Sequence, residues 1–455
     1  MRLFQCLITC AVLILAAGAG HPIGFSAVAL PQLRIENSTM RIDEEMGSWI
    51  ASIHSAATPL GSMLSGPIME AIGRKRTLQT CTLPLIVGWI IIGTATHHAL
   101  LLLGRIVCGF AVGIMAAPSQ VYLGEISEPR LRGLMIGTPF VAYSLGVLYV
   151  YALGGALPWR SVAHLSIVLP ALAFLALCLS PESPTWLARR GRFHDAMAAM
   201  SRLRGDPDTA QRELHELISA REKEKARGEE KINFFATVRR APVLKPLLLI
   251  NAFNILQILS GSYVVIFYAV DILWSSLMAA NASALVRLGV TVVACILLLR
   301  ITRRALVLVS GAGTAVCTLA LAGLLAQGPG SGVTPPALIL SYVAFNTLGF
   351  FLLPGLMIGE LLPTKVRGLC GGYIFCLFNS VLFGFTKLYP VMKNAIGIAG
   401  VFGLFGASSA LATVVLYLLL PETKGKSLLQ IEQYYQKSNI LWVGRKKTTT
   451  EVHRV

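Results

Sequence analysis

Gly124-Glu125-Ile126-Ser127-Glu128-Pro129-Arg130-Leu131-Arg132-Gly133 returns in altered form as Gly359-Glu360-Leu361-Leu362-Pro363-Thr364-Lys365-Val366-Arg367-Gly368, a spacing of 359 − 124 = 235 residues. Each copy closes one long apolar run and precedes another. An internal repeat at about half the chain length marks two similar halves. Two such halves, each with charges where its apolar runs meet, suggest a carrier with its hinges at one membrane face.

Working outward, the flanking sequence is apolar almost throughout. Of 455 residues, 55% are hydrophobic and 13% charged, with a mean hydropathy of +0.68. A soluble chain carries about twice that charged fraction. About twelve windows are long enough to cross about 30 Å of hydrocarbon as helices. They lie near 4–29, 48–68, 79–97, 99–122, 134–157, 162–180, 246–268, 284–301, 305–327, 337–358, 369–390 and 398–420. The first ends its early part in Ala17-Gly18-Ala19-Gly20, as a signal peptide does, but apolar sequence continues through Leu30. That length suits a spanning helix. The expected fold is all-α, with residues 1–180 and 246–420 as two six-helix halves.

Lys and Arg exceed Asp and Glu by 39 − 22 = 17, and they gather in alternate loops. Arg74-Lys75-Arg76, Arg130 with Arg132, Arg300 with Arg303-Arg304, and Lys365 with Arg367 define one basic face. The positive-inside rule makes that face cytoplasmic, and parity places both termini there too. Residues 181–245 become a cytoplasmic linker and 421–455 a cytoplasmic tail. Opposite charges at i, i+4 and scattered leucines in the linker suggest short amphipathic helices. The basic residues are dispersed between helices, which gives no nucleic-acid footprint; the bilayer itself is the expected partner.

Two sequons, Asn37-Ser38-Thr39 and Asn281-Ala282-Ser283, fall in loops assigned to the outside and are candidate glycosylation sites. Nine cysteines lie in or beside apolar spans without metal or disulfide spacing. The eight histidines form no ligand set, and no nucleophile–base arrangement or phosphate loop occurs. Neither an enzyme nor a cofactor-binding protein is indicated.

A series of motifs, in order, carries a family resemblance. Gly66-Pro67-Ile68-Met69-Glu70-Ala71-Ile72-Gly73-Arg74-Lys75 follows the second window, and Arg105 with Gly109 lies in the fourth. Pro118, Tyr122, Glu125 and Arg132-Gly133 mark its end. Pro181-Glu182-Ser183-Pro184-Thr185-Trp186-Leu187 follows the sixth, and Pro421-Glu422-Thr423-Lys424-Gly425 closes the twelfth. Together they resemble the sugar porters of the major facilitator superfamily, most closely the arthropod facilitated trehalose transporter-like branch, over nearly the whole chain. The resemblance implies a multi-pass plasma-membrane carrier of a sugar, such as trehalose or a hexose, or of a polyol. It also makes Glu125, Arg132, Glu360, Arg367, Arg74 and Arg303 gating charges, expected to pair when the halves close at the basic face. The second-half loop reads Leu299-Arg300-Ile301-Thr302-Arg303-Arg304, without the family's acid and glycine.

A sugar pocket needs amides for hydroxyls and aromatic faces for the ring. The family supplies these from its seventh helix as Q-Q-x-S-G-x-N-x-x-x-Y-Y, where this chain has Gln257-Ile258-Leu259-Ser260-Gly261-Ser262-Tyr263, then Tyr268. One glutamine matches; the asparagine is Tyr263. The tenth-helix P-W pair is Pro354-Gly355, the eleventh-helix N-W pair is Asn379-Ser380, and the fifth-helix amide or threonine falls on Phe140. The eighth-helix amide position is Arg287. Its stem can snorkel outward, it can pair with Asp271, or it can face the cavity and contact an anionic or polyhydroxylated solute.

Proton-driven relatives carry an acid in the first helix opposite the fourth-helix arginine; here that neighbourhood is Gly20-His21-Pro22-Ile23-Gly24. Uniport is the simpler reading, with Arg105 held by backbone carbonyls or by neighbouring helices. His21 is either a titratable substitute or a packed polar residue. Three classes follow: a facilitative carrier, a proton-coupled symporter using His21, and a solute sensor that binds without transporting.

Overall fold

The computed structural model describes residues 2–35, 40–127, 132–204, 206–226, 239–272, 277–327, 334–363, 366–424, 431 and 434–435. The side chains of Arg132 and Arg367 lie outside that description, as does Asn37. Among the described residues the regular structure is helical. The first half runs α1 (Arg2–Leu33), α2 (Glu44–Ile72), α3 (Arg74–Gly93), α4 (His98–Ile126), α5 (Arg132–Gly154), α6 (Trp159–Leu165) and α7 (Val168–Leu179). Short helices α8 (Pro184–Arg189), α9 (Phe193–Arg204) and α10 (Pro207–Ala226) follow. The second half holds α11 (Ala241–Leu259), α12 (Val264–Phe267), α13 (Ala269–Ile272), α14 (Leu277–Arg300), α15 (Arg303–Ala326), α16 (Thr334–Leu348), α17 (Leu353–Leu361) and α18 (Arg367–Leu419).

Ten of the described helical stretches are long and apolar enough to cross a bilayer. The polar α2 is an eleventh by length, because 29 residues rise about 43 Å. Its serines and His54 are turned inward rather than to lipid. Gly397, at φ 68°, kinks α18 and divides its long apolar stretch into two crossings, which makes twelve. The helices overrun the apolar windows because their polar ends continue the backbone ladder beyond the hydrocarbon.

Breaks in two spans of the second half set up the interior. After α11 the chain turns at Gly261, φ 82°, where a Cβ would sit 2.4 Å from the Phe405 ring. Between α16 and α17 four residues leave the helix, and Ser310 Oγ accepts from the freed Gly349 and Phe350 amides at 3.1 and 3.0 Å. Irregular backbone at membrane depth persists where protein groups satisfy it in this way.

The halves meet along α2 with α18, α5 with α14, and α1 with α12 and α13. At the end remote from the basic loops, Arg34 pairs with Asp271 at 2.8 Å. There too, Lys387 donates to Ser48 Oγ at 2.7 Å and lies over the Trp49 ring. Among the described residues no ion pair joins the halves at the basic end.

Candidate functional site

Both helix breaks face one small cavity between the halves. Phe140 enters it from α5, and Gln257, Tyr263, Phe351, Gly355 and Phe378 come from the second half. Its volume is about 50 Å³, room for a few waters. Gln257 reaches it because α11 ends two residues later; its buried Oε1 has no hydrogen-bond partner. An ideal Cβ on Gly355 would lie 2.8 Å from Phe140 Cζ. The phenyl ring from one half therefore occupies the space that a larger residue at 355 would fill.

Four of the six expected binding residues thus come together: Gln257, Tyr263, Phe140 and Gly355. Asn379 is set apart from the cavity lining, its amide donating to the Phe375 carbonyl at 2.8 Å. Arg287 neither snorkels nor pairs with Asp271, because Asp271 is taken by Arg34. It is 4% exposed, and its guanidinium lies 5.4 Å from the Phe351 ring centre. Phe351 was not anticipated, yet it packs against Phe140, Tyr143 and Tyr263 at 5.9 to 6.3 Å between centroids. Asn254 also lines the cavity; its place one helical turn before Gln257 was the available signal.

Arg105 is fully buried and satisfied by carbonyls, donating to Ile50 O at 2.9 Å, Ala51 O at 3.2 Å and Pro22 O, with Ser26 Oγ at 2.6 Å. His21 does not face it. That ring stacks on Tyr149 at 4.9 Å and meets Trp89 edge-on, which is the packed-residue alternative. The histidine beside Arg105 is His54.

The charged hinges form two matching clusters. Arg74 Nε donates to Glu125 at 3.1 Å, and Arg303 Nε donates to Glu360 at 3.2 Å, so each pair lies inside one half. The reason is topological: Arg74 opens α3 beside the end of α4, and Arg303 opens α15 beside the end of α17. Each guanidinium also returns to a carbonyl five residues back, Met69 O or Leu298 O. Glu182 receives the amides of Lys75 and Arg76, as Glu422 receives those of Arg303 and Arg304. Ser183 completes the first cluster by donating to Glu125, and Thr423 the second by donating to Glu360. Where the first loop has Gly73 at φ 104°, the second has Thr302, whose hydroxyl caps α15 by accepting from Ala305 N. Asn281 departs from expectation. It sits within α14 rather than in a loop, and Ser283 of its sequon is buried and bonded to Ala280 O.

Two six-helix halves around a cavity bounded by broken helices, with matching charge clusters at one end, define a multi-pass membrane transporter of the major facilitator fold. The family profile described as "Sugar (and other) transporter" matches residues 9–435, and the chain belongs to that family. It is 32% identical over 428 residues to "Facilitated trehalose transporter Tret1" of Aedes aegypti, covering 91% of this chain and 53% of that protein. To the protein of the same name in Culex quinquefasciatus it is 31% identical, covering 91% and 82% respectively. The chain thus spans about half of one of these relatives and most of the other. A solved structure of the proton:xylose symporter XylE bound to 6-bromo-6-deoxy-D-glucose matches the fold with a TM-score of 0.80 at 18% identity. That match covers 95% of this chain and 99% of that one.

Proposed function

We propose that this chain is a facilitative carrier of a sugar, trehalose or a hexose, or of a related polyhydroxylated solute, by alternating access in the plasma membrane. The observation that carries the reading is the cavity between the halves, where an amide and aromatic faces meet beside two helix breaks. Its basic end faces the cytoplasm, with both termini on that side. The arrangement fits the state closed to the outside, since Arg34–Asp271 and Lys387–Ser48 tie the halves at the remote end. The small cavity is then a contracted form that widens as the halves rock.

Uptake into liposomes holding the purified protein, run with trehalose, glucose and polyols, tests the reading. Gln257→Ala is expected to weaken apparent affinity about three- to tenfold, the loss of one neutral hydrogen bond. No uptake of any member of the panel would sink the carrier reading in favour of a sensor. Steady uptake across an imposed proton gradient is expected, since α1 contains no Asp or Glu.

A second prediction concerns the outer contact. Asp271→Asn removes an attraction worth about 1 kcal/mol for a partly exposed pair, about fivefold in the open–closed equilibrium. Spin labels at Thr96→Cys and Ile396→Cys, exposed near the remote end of either half, should report a larger separated population. Unchanged distance distributions would remove Arg34–Asp271 as a determinant of closure.

A further inference from the structure

Two arginines are buried inside the spans, and the structure treats them oppositely. Arg105 is surrounded by carbonyl and hydroxyl acceptors. Arg287 Nη1 is buried without a hydrogen-bond partner, and among the described residues no carboxylate pairs with the guanidinium. The groups in electrostatic reach are four tyrosines, at 143, 151, 263 and 342. Two are committed elsewhere, Tyr151 donating to Ile266 O and Tyr342 to Ser260 O. Neutral hydroxyls and the face of Phe351 soften the charge but do not cancel it. An arginine stays ionised under all ordinary conditions, so a buried one without a counter-ion is a vacancy for an anion.

The position says which anion. Phe351 contacts Arg287 on one side and Tyr263, a wall of the cavity, on the other. Phe351 belongs to the four non-helical residues between α16 and α17. The guanidinium is buried, 4% exposed, and lies against Phe351, which lines the cavity together with Gln257. We propose that Arg287, which lies behind the Phe351 wall of the cavity, is an oxyanion subsite adjoining it, so that the preferred cargo is a carbohydrate or polyol bearing a carboxylate or a phosphate. The planar fork suits either group through two parallel hydrogen bonds, while Gln257 and Tyr263 meet the hydroxyls. The inference rests on the carrier reading above and narrows its substrate class.

Competition and voltage test it in the native protein. Against labelled glucose uptake in liposomes, glucuronate or glucose 6-phosphate is expected to compete at least about tenfold better than unlabelled glucose. The two competitors separate carboxylate from phosphate recognition. An imposed inside-positive potential should raise accumulation of labelled glucuronate and leave glucose unchanged, because only the anion moves charge. Arg287→Gln should abolish the anion preference and the uptake of labelled glucuronate, and Arg287→Lys should keep part of each. Glucose uptake with no advantage for either anion in the native protein overturns the proposal and leaves the carrier reading standing. Thermal stabilisation of detergent-solubilised protein by glucuronate, without uptake, keeps the subsite and overturns the carrier reading. Absence of both stabilisation and uptake overturns the two together.

Discussion

Glu125→Ala is expected to lose most of its monodisperse protein on mild heating in detergent, whereas Glu360→Ala, at the matching position of the other half, loses little. The two carboxylates make the same contacts, but their surroundings differ. The Arg74 and Glu125 side chains are 2% and 16% exposed, against 21% and 28% for Arg303 and Glu360. Removing one partner of a buried pair strands the other charge and costs about 3–5 kcal/mol; for the more exposed pair the cost is about 1 kcal/mol. Arg74 retains Glu70, an acid that is itself 55% exposed and so a poor replacement. Glu125→Gln keeps the acceptor oxygen for Ser183 and should fall between the native protein and the alanine variant. Fluorescence-detected size-exclusion profiles after a temperature series would measure this. Equal losses for Glu125→Ala and Glu360→Ala would show that burial does not set the strength of these clusters.

That asymmetry was half legible in the sequence. The absence of an acid and a glycine from Leu299-Arg300-Ile301-Thr302, and Ala71 in place of an arginine in the first loop, already put an equal role for the two hinges in doubt. What the sequence did not supply was the direction of pairing. Arg74 and Glu125 are 51 residues apart, and Arg303 and Glu360 are 57 apart. Each acid had a candidate arginine in either half, and residue type alone does not choose between them. Only the packing of α3 against α4, and the placing of Arg303 beside the end of α17, decides it. In this state the clusters tie helices within each half, and the polar contacts between halves lie at the other end, at Arg34, Asp271 and Lys387.

The cavity divides in the same way. Gln257 and Tyr263 could be placed because they fall on the polar positions of the seventh-helix motif that the family resemblance supplies. Phe351 could not: an aromatic residue in an apolar run reads as core by pattern alone. Arg287 was open among three orientations, since a long stem near a helix end can reach lipid headgroups or turn inward. The choice fell to the partner that Asp271 found first.

The exchange of bulk between Phe140 and Gly355 gives the other large effect. Gly355→Trp is expected to abolish transport and lower thermal stability, because even a Cβ at this site approaches Phe140 Cζ to 2.8 Å, and overpacking costs about 1–3 kcal/mol. Phe140→Thr, which leaves a void at the interface between halves, should weaken the protein more mildly. Combined, the two changes are expected to recover stability and uptake, with a coupling of about 1–3 kcal/mol between neighbours that share one space. The indole would then sit where the family resemblance implies one, offering a flat apolar face to a sugar ring. The double variant should accordingly gain affinity for neutral sugars relative to the native chain. Uptake of glucose and trehalose by the two single variants and the double variant completes the cycle. A double variant no better than Gly355→Trp alone would mean that the contact between Phe140 and Gly355 is incidental, and that the ring and the glycine did not change places as a pair.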